Sequence, residues 1–477
     1  MADIAGERFG RTSEDPDDLR FARITLRDPG NNPSEVIKMK KIALFIAVSA
    51  AIGGCVSMAT GPQAIDWSKI PVAKMNLLYP GQSSYEWLRS DAHKGAARET
   101  QRGDSCTSCH DDAKEEQIQG AKILRGTHPL EPLAKTLQGK PGHVELSVQA
   151  AYDDKNAYLR FQWKTNNKVL PGNDYPGYRF DGKEWKAYGA PRLHPDAVAG
   201  KTPPVYENRL SIMVDDGKVP GFAAQGCWLT CHEGERDMPK LFTRDEVAAN
   251  PLFKEIKRAD VRKYIPASRT NPSDWKTGKS LAEIGQLKAE GQFLDLVQWR
   301  AHRTAPIAAV DDGYVLEWRN FDAGTNHFIS NMDGQKKQPR FMFDAARYGA
   351  KAMTADNFLG KKESILVKGV NAVPFDPNAG WKAGDILPQY YLSAEDAKGS
   401  AADNKGISSW ENGLQTVVII RPLGLANADD KALKPGGVYN VGFAVHDDNV
   451  TTRGHYVSYV KTLGLGAKAD IQAVKLN

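Results

Sequence analysis

Residues 143–163 are HVELSVQAAYDDKNAYLRFQW, and this stretch decides the fold class. Apolar side chains alternate with polar ones on both sides of a turn-prone segment, 153–156. The alternating apolar residues are Val144, Leu146, Val148 and Ala150 before the turn and Leu159, Phe161 and Trp163 after it. The stretch therefore predicts a β-hairpin with one buried face.

Similar strand-like stretches recur along the rest of the chain. They lie at 210–214, 314–318, 364–368, 416–421 and 441–445, separated by clusters of Gly, Pro, Asp and Asn. Short strands with turns between them predict a mainly β fold, and a β-sandwich buries their apolar faces. Helices are predicted at 244–264 and 281–298 as an insertion, and a long surface loop is predicted at 171–204.

The composition is that of a globular protein. Of the 477 residues, 41% are hydrophobic and 9% are aromatic, which is enough for one large core or two modest ones. The net charge is +5 from 63 basic and 58 acidic residues, without the basic run that nucleic-acid binding requires. Nucleic acid is therefore not expected as a partner.

The segment 39–55 predicts export. Met39 and two lysines precede an apolar run at 42–52 that is too short to span a bilayer, and Gly53, Gly54 and Cys55 follow it. This pattern is typical of a bacterial lipoprotein signal peptide, 39–54, after which Cys55 becomes the lipidated first residue. An ordinary secretory signal is the alternative, and it delivers the chain to the same side of the membrane.

The export signal also predicts where the mature chain begins and where it resides. Residues 1–38 are charged and lack an apolar period, which is unusual ahead of an export signal, so we expect them to be a mis-assigned extension. The predicted location is the periplasmic side of a bacterial membrane, with a lipid anchor on Cys55. Val56 stands where an aspartate would favour the inner membrane, so the outer membrane is favoured.

Five cysteines are present, and four of them form two pairs that each end in a histidine. Cys106-Thr107-Ser108-Cys109-His110 has the C-x-x-C-H spacing of a haem c attachment site. Two thiols add across the two vinyl groups of one porphyrin, and the next residue places an imidazole nitrogen on the iron. Cys106 and Cys109 are therefore predicted to hold a haem covalently, with His110 as its proximal ligand.

The second pair, Cys227-Trp228-Leu229-Thr230-Cys231-His232, has one more intervening residue. The longer loop still lets both thiols reach one porphyrin, so Cys227 and Cys231 are predicted to hold a second haem c, with His232 as its proximal ligand. A disulfide within each pair, a zinc site and a redox dithiol are the alternatives. A disulfide does not explain the histidines, neither cluster offers a fourth zinc ligand, and neither has a clear strand-then-helix context for a dithiol.

The two motifs divide the mature chain into two predicted parts. Residues 55–142 have helix-compatible stretches at 85–98 and 111–124 around the first motif, which predicts a small, mainly helical, cytochrome c-like segment. Residues 143–477 are predicted to form the β-sandwich haem-binding domain, which carries the second haem against its helical insertion.

Several stretches of the second part resemble the ethylbenzene dehydrogenase-related haem-binding domain. They are the 143–163 hairpin, 226–239 with the second cysteine pair, 295–303 (DLVQWRAHR) and 454–458 (GHYVS). Founding members are the gamma, electron-transfer subunits of molybdenum enzymes of the dimethyl sulfoxide reductase type, so the resemblance implies a β-sandwich around one haem and a redox role. In those subunits methionine and lysine bind a non-covalent b-type haem. Here, cysteines and a histidine occupy the region where the methionine is expected.

The sixth iron ligands are less constrained by the sequence. An electron carrier needs a protein ligand at that position, whereas an enzyme that acts on a small molecule needs it open. For the first haem we prefer His93, just before the motif, to His128, just after it. For the second haem we prefer His455, at the last strand, where the resemblance places the second axial ligand.

Three further residues are considered for the second haem. Met238 and His302 are the reserve ligands, although Met238 follows His232 so closely that reaching the opposite haem face is difficult. His446 alternates with the apolar residues of its strand, so it faces either the haem or solvent.

The sequence favours an electron carrier over an enzyme, because it contains no phosphate loop, nucleotide fingerprint or recognisable catalytic triad. Two haems would relay electrons between a membrane or periplasmic donor and a redox enzyme. A molybdoenzyme and a quinol-oxidising membrane cytochrome are the expected classes of redox partner. The alternative is a haem enzyme of the peroxidase or nitrogen-oxide reductase type with one open iron, where His302 beside Arg300 and Arg303 serves as distal acid or base.

Overall fold

The computed structural model describes residues 65–110, 113–127, 137, 139–165, 175–235, 238, 240–358 and 364–476. Apart from Ile65, these residues belong to one unit, Asp66–Asn477. The predicted extension 1–38, the predicted signal peptide 39–54, Cys55 and His128 lie outside the described residues.

Strands run from Ala73 to Lys475 along this part of the chain. The first twelve are β1 Ala73–Leu78, β2 His143–Tyr152, β3 Asn156–Lys164, β4 Gly177–Phe180, β5 Trp185–Tyr188, β6 Arg209–Asp215, β7 Leu294–Arg300, β8 Gly313–Val315, β9 Arg319–Phe321, β10 Phe328–Ser330, β11 Met332–Asp333 and β12 Gln338–Pro339. The others are β13 Phe341–Phe343, β14 Leu366–Val367, β15 Ala372–Pro374, β16 Ile386–Pro388, β17 Tyr390–Leu392, β18 Lys405–Glu411, β19 Leu414–Pro422, β20 Val438–His446, β21 Tyr456–Val457, β22 Lys461–Leu465 and β23 Ile471–Lys475.

Thirteen of these strands form one sheet. Its order is β18-β19-β3-β2-β1-β21-β20-β6-β7-β8-β9, and β22 and β23 link β20 back to β2. The predicted hairpin is confirmed as β2 and β3, which pair antiparallel with Val148 opposite Phe161. β1 comes from the segment 55–142, yet it pairs with β2 and with β21 near the other end of the chain.

The sheet turns back on itself, so that the apolar faces of its two halves pack together. Phe161 on β3 meets Phe443 on β20 with ring centroids 5.8 Å apart, and Trp163 on β3 meets Trp299 on β7 at 6.1 Å. All four side chains are buried. The expected mainly β fold is therefore confirmed, with two layers around one core as in a β-sandwich.

Short helices interrupt the strands. They are α1 Tyr85–Leu88, α2 Ala97–Arg102, α3 Ala113–Leu124, α4 Pro195–Val198, α5 Phe222–Gln225, α6 Arg244–Ala249, α7 Pro251–Glu255, α8 Leu281–Ala289, α9 Ala345–Tyr348 and α10 Ala355–Phe358. Single 3-10 turns occur at Trp67–Lys69, Cys106–Ser108, Gly226–Thr230, Pro266–Ser268, Ala305–Ile307, Ser400–Ala402 and Thr452–Gly454. No helix in the described part of the chain is both long and apolar enough to cross a membrane.

The helix predicted at 281–298 is wrong at its C-terminal end. α8 ends at Ala289, Gly291 has a left-handed φ of 77°, and β7 begins at Leu294. Every residue of β7 is buried because both faces of the strand are covered. The sequence there has no alternation to mark a strand.

Two other predicted segments also differ from the structure. The helix predicted at 244–264 is two short helices, because Asn250 ends α6 and caps α7, with Pro251 at its first position. The long loop predicted at 171–204 contains the β4–β5 hairpin, which β16 extends into a small sheet.

Candidate haem-binding sites

The first cysteine motif folds as one 3-10 turn at the edge of a cavity. Ser105 caps this turn, since its hydroxyl accepts a hydrogen bond from the Thr107 amide at 3.3 Å. Cys106, Cys109 and His110 all line the same cavity of about 460 Å³. The motif thus presents two thiols and one imidazole to a single space, as attachment of one porphyrin requires.

His93 lines this cavity too. Its ring is parallel to that of His110 within 9°, and the two ring centroids lie 6.4 Å apart. Two imidazole nitrogens that each lie about 2 Å from one metal ion are about 4 Å apart, and the rings themselves take up the rest of the separation. The pair is therefore spaced as two ligands of one iron would be.

Hydrogen bonding leaves the correct nitrogen of His93 available. His93 Nδ1 lies 2.9 Å from the Leu88 carbonyl oxygen. A carbonyl oxygen only accepts, so Nδ1 carries the proton and Nε2 has the lone pair that a metal needs. On the other ring, His110 Nδ1 lies 3.5 Å from Glu115 Oε1. The His93 imidazole thus has an orienting hydrogen bond of the kind found behind metal-bound histidines, whereas His110 Nδ1 forms no hydrogen bond.

The second motif adjoins a separate cavity of about 390 Å³. Cys227 lines it together with Gly442 on β20. A Cβ on residue 442 would lie 2.7 Å from Cys227 Sγ, closer than real side chains approach one another. Glycine at this position therefore lets the thiol of Cys227 approach β20 closely at the edge of the cavity.

His232, the predicted proximal ligand of the second haem, is buried with protein partners on both ring nitrogens. Nδ1 lies 2.7 Å from Glu86 Oε1, Nε2 lies 3.1 Å from the Tyr264 carbonyl oxygen, and the Tyr264 ring stacks on the imidazole at 3.6 Å. Glu86 is the kind of partner that orients a metal-bound histidine. Binding iron would require Nε2 to exchange the carbonyl for the metal, so this role of His232 stays a prediction.

His455 and His446 both line the second cavity. Their rings are nearly parallel, at 18°, with centroids 4.9 Å apart. His446 is 7% exposed, so of its two expected orientations the structure shows the one toward the cavity. The cavity therefore has two neighbouring histidines, of which the sequence favoured only His455.

The two reserve ligands lie elsewhere. The His302 ring stacks on Tyr175 with centroids 4.7 Å apart, and its backbone amide donates to Glu207 Oε2 at 3.0 Å. Met238 is buried at 4% exposure. Neither is among the described residues that line the second cavity.

Arginines dominate the polar lining of the second cavity. Six arginines and one lysine line it, together with the carboxylate of Glu235: they are Arg209, Arg262, Lys263, Arg300, Arg303, Arg319 and Arg453. Glu207 Oε1 lies 2.6 Å from Arg303, and Asp311 Oδ2 lies 2.5 Å from Arg300. Six guanidinium groups and the Lys263 ammonium group thus outnumber the carboxylates of Glu235, Glu207 and Asp311. The excess positive charge suits a dianionic group, such as the two propionates of a haem.

The positive charge of the cavity lowers the pKa of Tyr206, which lines it. Burial raises the pKa of a tyrosine, but Arg209, Arg303 and Arg300 together lower the pKa of Tyr206 to about 7. A positive field strong enough to offset burial of a phenolate will also favour other anions in this cavity.

The two cavities are neighbours. Trp228, inside the second motif, lines the first cavity, and its ring lies 5.2 Å from the ring of Tyr459. The Tyr459 ring is parallel to the His110 ring, with centroids 5.8 Å apart. Gln225, just before the second motif, accepts a hydrogen bond from Arg89 at 2.7 Å. Aromatic side chains therefore connect the second cysteine motif to the first imidazole pair.

A family model described as ethylbenzene dehydrogenase matches residues 64–458. The chain belongs to the ethylbenzene dehydrogenase family. The family expected from the sequence is thereby confirmed.

The chain is also similar to two curated proteins whose names describe c-type cytochromes. Cytochrome c-552 of Stutzerimonas stutzeri is 26% identical over 440 residues, covering 92% of this chain and 100% of the relative. Cytochrome c-551 of Rhodocyclus tenuis is 27% identical over 221 residues, covering 46% of this chain and 70% of the relative.

In this member of the ethylbenzene dehydrogenase family, no disulfide joins any of the four described cysteines. Burial raises the pKa of Cys106 to about 11 and the pKa of Cys227 to about 12, so both thiols stay protonated. A redox dithiol or a zinc-binding thiolate requires a lowered pKa instead. The thiols therefore resemble neutral attachment points more than redox or zinc-binding groups.

Sequence reasoning missed three residues that the fold brings to the sites. Glu86 lies on α1, far along the chain from the His232 that it contacts. Tyr459 reaches the first cavity from beyond β21, and Trp228 reaches it from within the second motif. Only Trp228 carried a signal in the sequence, because an aromatic residue inside a haem motif must lie close to the haem.

Proposed function

We propose that the protein is a dihaem c-type cytochrome that relays electrons between a membrane or periplasmic donor and a redox enzyme. The observation that carries the proposal is the parallel pair of His93 and His110, which lines one cavity with Cys106 and Cys109. The c-type cytochromes among its relatives support haem c as the group held.

At the first site, the chain supplies every ligand that an electron carrier needs. Cys106 and Cys109 would attach the porphyrin, and His110 and His93 would bind the iron from its two sides. Haem c supplies an iron that accepts and releases one electron. Because both axial positions would be filled by protein, this site suits electron transfer more than reaction with a small molecule.

At the second site, Cys227 and Cys231 would attach the porphyrin, with His232 and His455 as its iron ligands. Glu86 would orient His232, since its carboxylate already lies 2.7 Å from Nδ1. The arginines of the cavity would bind the propionates. The contact from Trp228 through Tyr459 to His110 keeps the two sites close, which favours transfer between them because electron tunnelling slows steeply with distance.

The optical spectrum of the purified full chain tests the proposal. A pyridine haemochrome assay counts the covalent haems, and carbon monoxide is then added to the reduced protein. We expect two covalent haems and no change with carbon monoxide, because both irons have two protein ligands. Fewer than two covalent haems would contradict the dihaem assignment, and an immediate carbon monoxide complex would contradict the pure electron carrier.

A second candidate function rests on the second cavity alone. His446 and His455 lie side by side, and His232 is tied to Glu86 and Tyr264. With a single iron ligand and a lining rich in arginine, this site would act on a small anion, as in a peroxidase or nitrogen-oxide reductase. A carbon monoxide complex at one haem only, abolished by loss of the second cysteine pair, would favour this enzyme.

We further propose that the protein is exported to the periplasmic side of a bacterial membrane and anchored there by a lipid on Cys55, with the outer membrane favoured. Its partners would be a molybdoenzyme or a quinol-oxidising membrane cytochrome.

Membrane fractionation tests the proposed lipid anchor on Cys55. We expect the natural chain in the membrane fraction and Cys55→Ala in the soluble periplasmic fraction. An N-terminal peptide from 1–38 recovered from cells would contradict the assignment of Met39 as initiator.

A further inference from the structure

Six aspartates lie together at one end of the main sheet, and none of them lines either of the two cavities beside the cysteine motifs. They are Asp295 on β7, Asp312 just before β8, Asp322 just after β9, Asp403 just before β18, and Asp429 and Asp430 between β19 and β20. All but Asp403 are buried. Carboxylates gathered in a protein interior repel one another and lose hydration, so each needs a cation, a proton or several hydrogen bonds.

The guanidinium group of Arg421 on β19 offsets the negative charge of three of these aspartates. Its guanidinium contacts Asp295, lies 3.0 Å from Asp430 Oδ1 and lies 3.5 Å from Asp312 Oδ2. The neighbouring Lys431 instead directs its ammonium group to Asp216 Oδ1 at 2.6 Å and to the Gly291 carbonyl. One guanidinium therefore serves the group formed by Asp295, Asp312 and Asp430.

The second group, Asp322, Asp429 and Asp430, shares only Asp430 with Arg421. One carboxylate oxygen from each of Asp322, Asp429 and Asp430 lies within 4.8 Å of the others. Among the described residues, no lysine, arginine or histidine forms an ion pair with Asp322 or Asp429. Asp322 is 6% exposed, and neither of its carboxylate oxygens has a hydrogen-bond partner. A buried carboxylate with neither charge partner nor donor is strongly destabilising.

Hydrogen bonds within the protein reach Asp429 and Asp430 but not Asp322. The Ala323 amide donates to Asp429 Oδ2 at 2.9 Å, and the Asn427 side-chain amide donates to Asp430 Oδ2 at 2.7 Å. The Ser400 hydroxyl lies 2.9 Å from Asp429 Oδ1 and 3.0 Å from Asp430 Oδ2, but it has only one proton to donate. The Asn404 side-chain oxygen is also buried without a hydrogen-bond partner, while its amide nitrogen contacts Asp312 and Asp403. Asn404 thus offers a buried, uncharged oxygen atom beside Asp312 and Asp403.

We propose that Asp322, Asp429 and Asp430 bind one Ca²⁺ ion. The donors are all oxygen atoms, which hard divalent cations prefer to nitrogen or sulfur donors. Ligands on opposite sides of a Ca²⁺ ion are about 5 Å apart, so oxygens within 4.8 Å of one another can all reach it. Mg²⁺ requires shorter bonds and near-ideal octahedral geometry, which one side chain after β9 and two adjacent side chains of another loop meet less easily.

The surroundings of Asp322 agree with such a partner. Its carboxyl group is buried near Asp295 and Asp429, and repulsion between these groups disfavours a negative charge on Asp322. A bound cation would offset that repulsion. It would also tie the end of β9 to the loop between β19 and β20, and so fix strands whose other residues line the second cavity.

The test uses the haem-loaded full chain after dialysis against a chelator. Isothermal titration with CaCl₂ and elemental analysis of the dialysed product give the number of ions bound, and thermal unfolding is followed with Ca²⁺, with Mg²⁺ and with chelator alone. We expect one Ca²⁺ per chain and an unfolding midpoint several degrees higher with Ca²⁺ than with chelator. The absence of bound ion, or an equal response to Mg²⁺, overturns the proposal.

The variant Asp322→Asn tests whether Asp322 is a metal ligand or has only a structural role. We expect this variant to lose the response to Ca²⁺ but to be no less stable than the natural chain in chelator, because it removes one repelling carboxylate. A structural role unrelated to metal would lower the unfolding midpoint equally in both buffers. Asp154→Asn is the control, since that side chain is 88% exposed, and it should keep the full Ca²⁺ response. If Asp322→Asn does not fold, Asp429→Asn serves in the same comparison.

Discussion

The two proposed haem sites are built in different ways from similar motifs. At the first site, Cys109 is exposed, His110 is partly exposed, and the facing His93 comes from the same short stretch of chain. At the second site, Cys227, Cys231 and His232 are buried, and the candidate partners His446 and His455 come from distant strands. A cysteine motif thus predicts where a haem attaches, whereas the opposite ligand is predictable only when it is local.

The largest effect should come from removing the local ligand. In His93→Ala, the first iron loses its sixth ligand while both thioether bonds remain, so we expect one of two haems to bind carbon monoxide fully in the reduced protein. The measurement is the carbon monoxide difference spectrum. His194→Ala, at an exposed histidine, should not change it. No carbon monoxide binding in His93→Ala would show that another residue is the ligand.

The tight packing around Cys227 at the second site is tested by adding a side chain at Gly442. Gly442→Val places side-chain atoms where Cys227 Sγ already lies, so we expect loss of most covalent haem at the second motif and full retention at the first. Mass spectrometry of haem peptides measures each motif separately. Gly285→Ala is the control, because its helix position has no neighbouring atoms. Equal haem loss at both motifs would point to general misfolding.

The contact between the sites is tested at the aromatic pair. Trp228→Leu removes the ring that lies 5.2 Å from Tyr459, so we expect several-fold slower electron transfer between the haems with unchanged haem content. Pulse radiolysis or flash photolysis measures this rate. Trp228→Phe keeps an aromatic ring and should restore most of it. A rate equal to that of the natural chain in the leucine variant would show that the electron takes another route.

The smallest effect is expected from Glu86, the residue that contacts the second predicted proximal histidine, His232. Glu86→Gln removes the charge that lies 2.7 Å from His232 Nδ1 and makes the imidazole a weaker donor. We expect the potential of the second haem alone to rise, by less than the roughly 59 mV that equals a tenfold change for one electron. Spectroelectrochemical titration measures both potentials, and Glu145→Gln, at an exposed site, is the control. A shift of the first haem instead would contradict the assigned contact.

Much of the fold was predictable because its strands alternate. β2 and β3 carry a clear period of two, and the sheet contains the predicted hairpin. β7 was not predictable in the same way, since burial of both faces removes the alternation and leaves Leu294–Arg300 similar to a helix end. β1 was missed because it is short and its partners β2 and β21 lie far along the chain.

In the candidate sites, too, residues close together in the sequence were predictable, whereas residues from distant parts of the chain were not. Cys106, Cys109, His110 and His93 lie within one local segment, and the structure brings them to one cavity. Glu86 and Tyr459 reach their sites through pairing between distant strands, for which a single sequence carries no signal. The orphaned Asp322 is likewise recognisable only after the fold has gathered its neighbours.

The packing of Tyr459 on His110 and the pairing of β1 with β21 make the first site depend on residues that are synthesised long after its own cysteines. Folding of this region therefore waits until Tyr459 has been synthesised. Until then, Cys106 and Cys109 stay accessible in the unfolded chain. The second motif is synthesised later and lies closer along the chain to β20 and β21. The first cysteine pair thus stays accessible for longer during synthesis, and it also lies nearer the surface once the chain has folded.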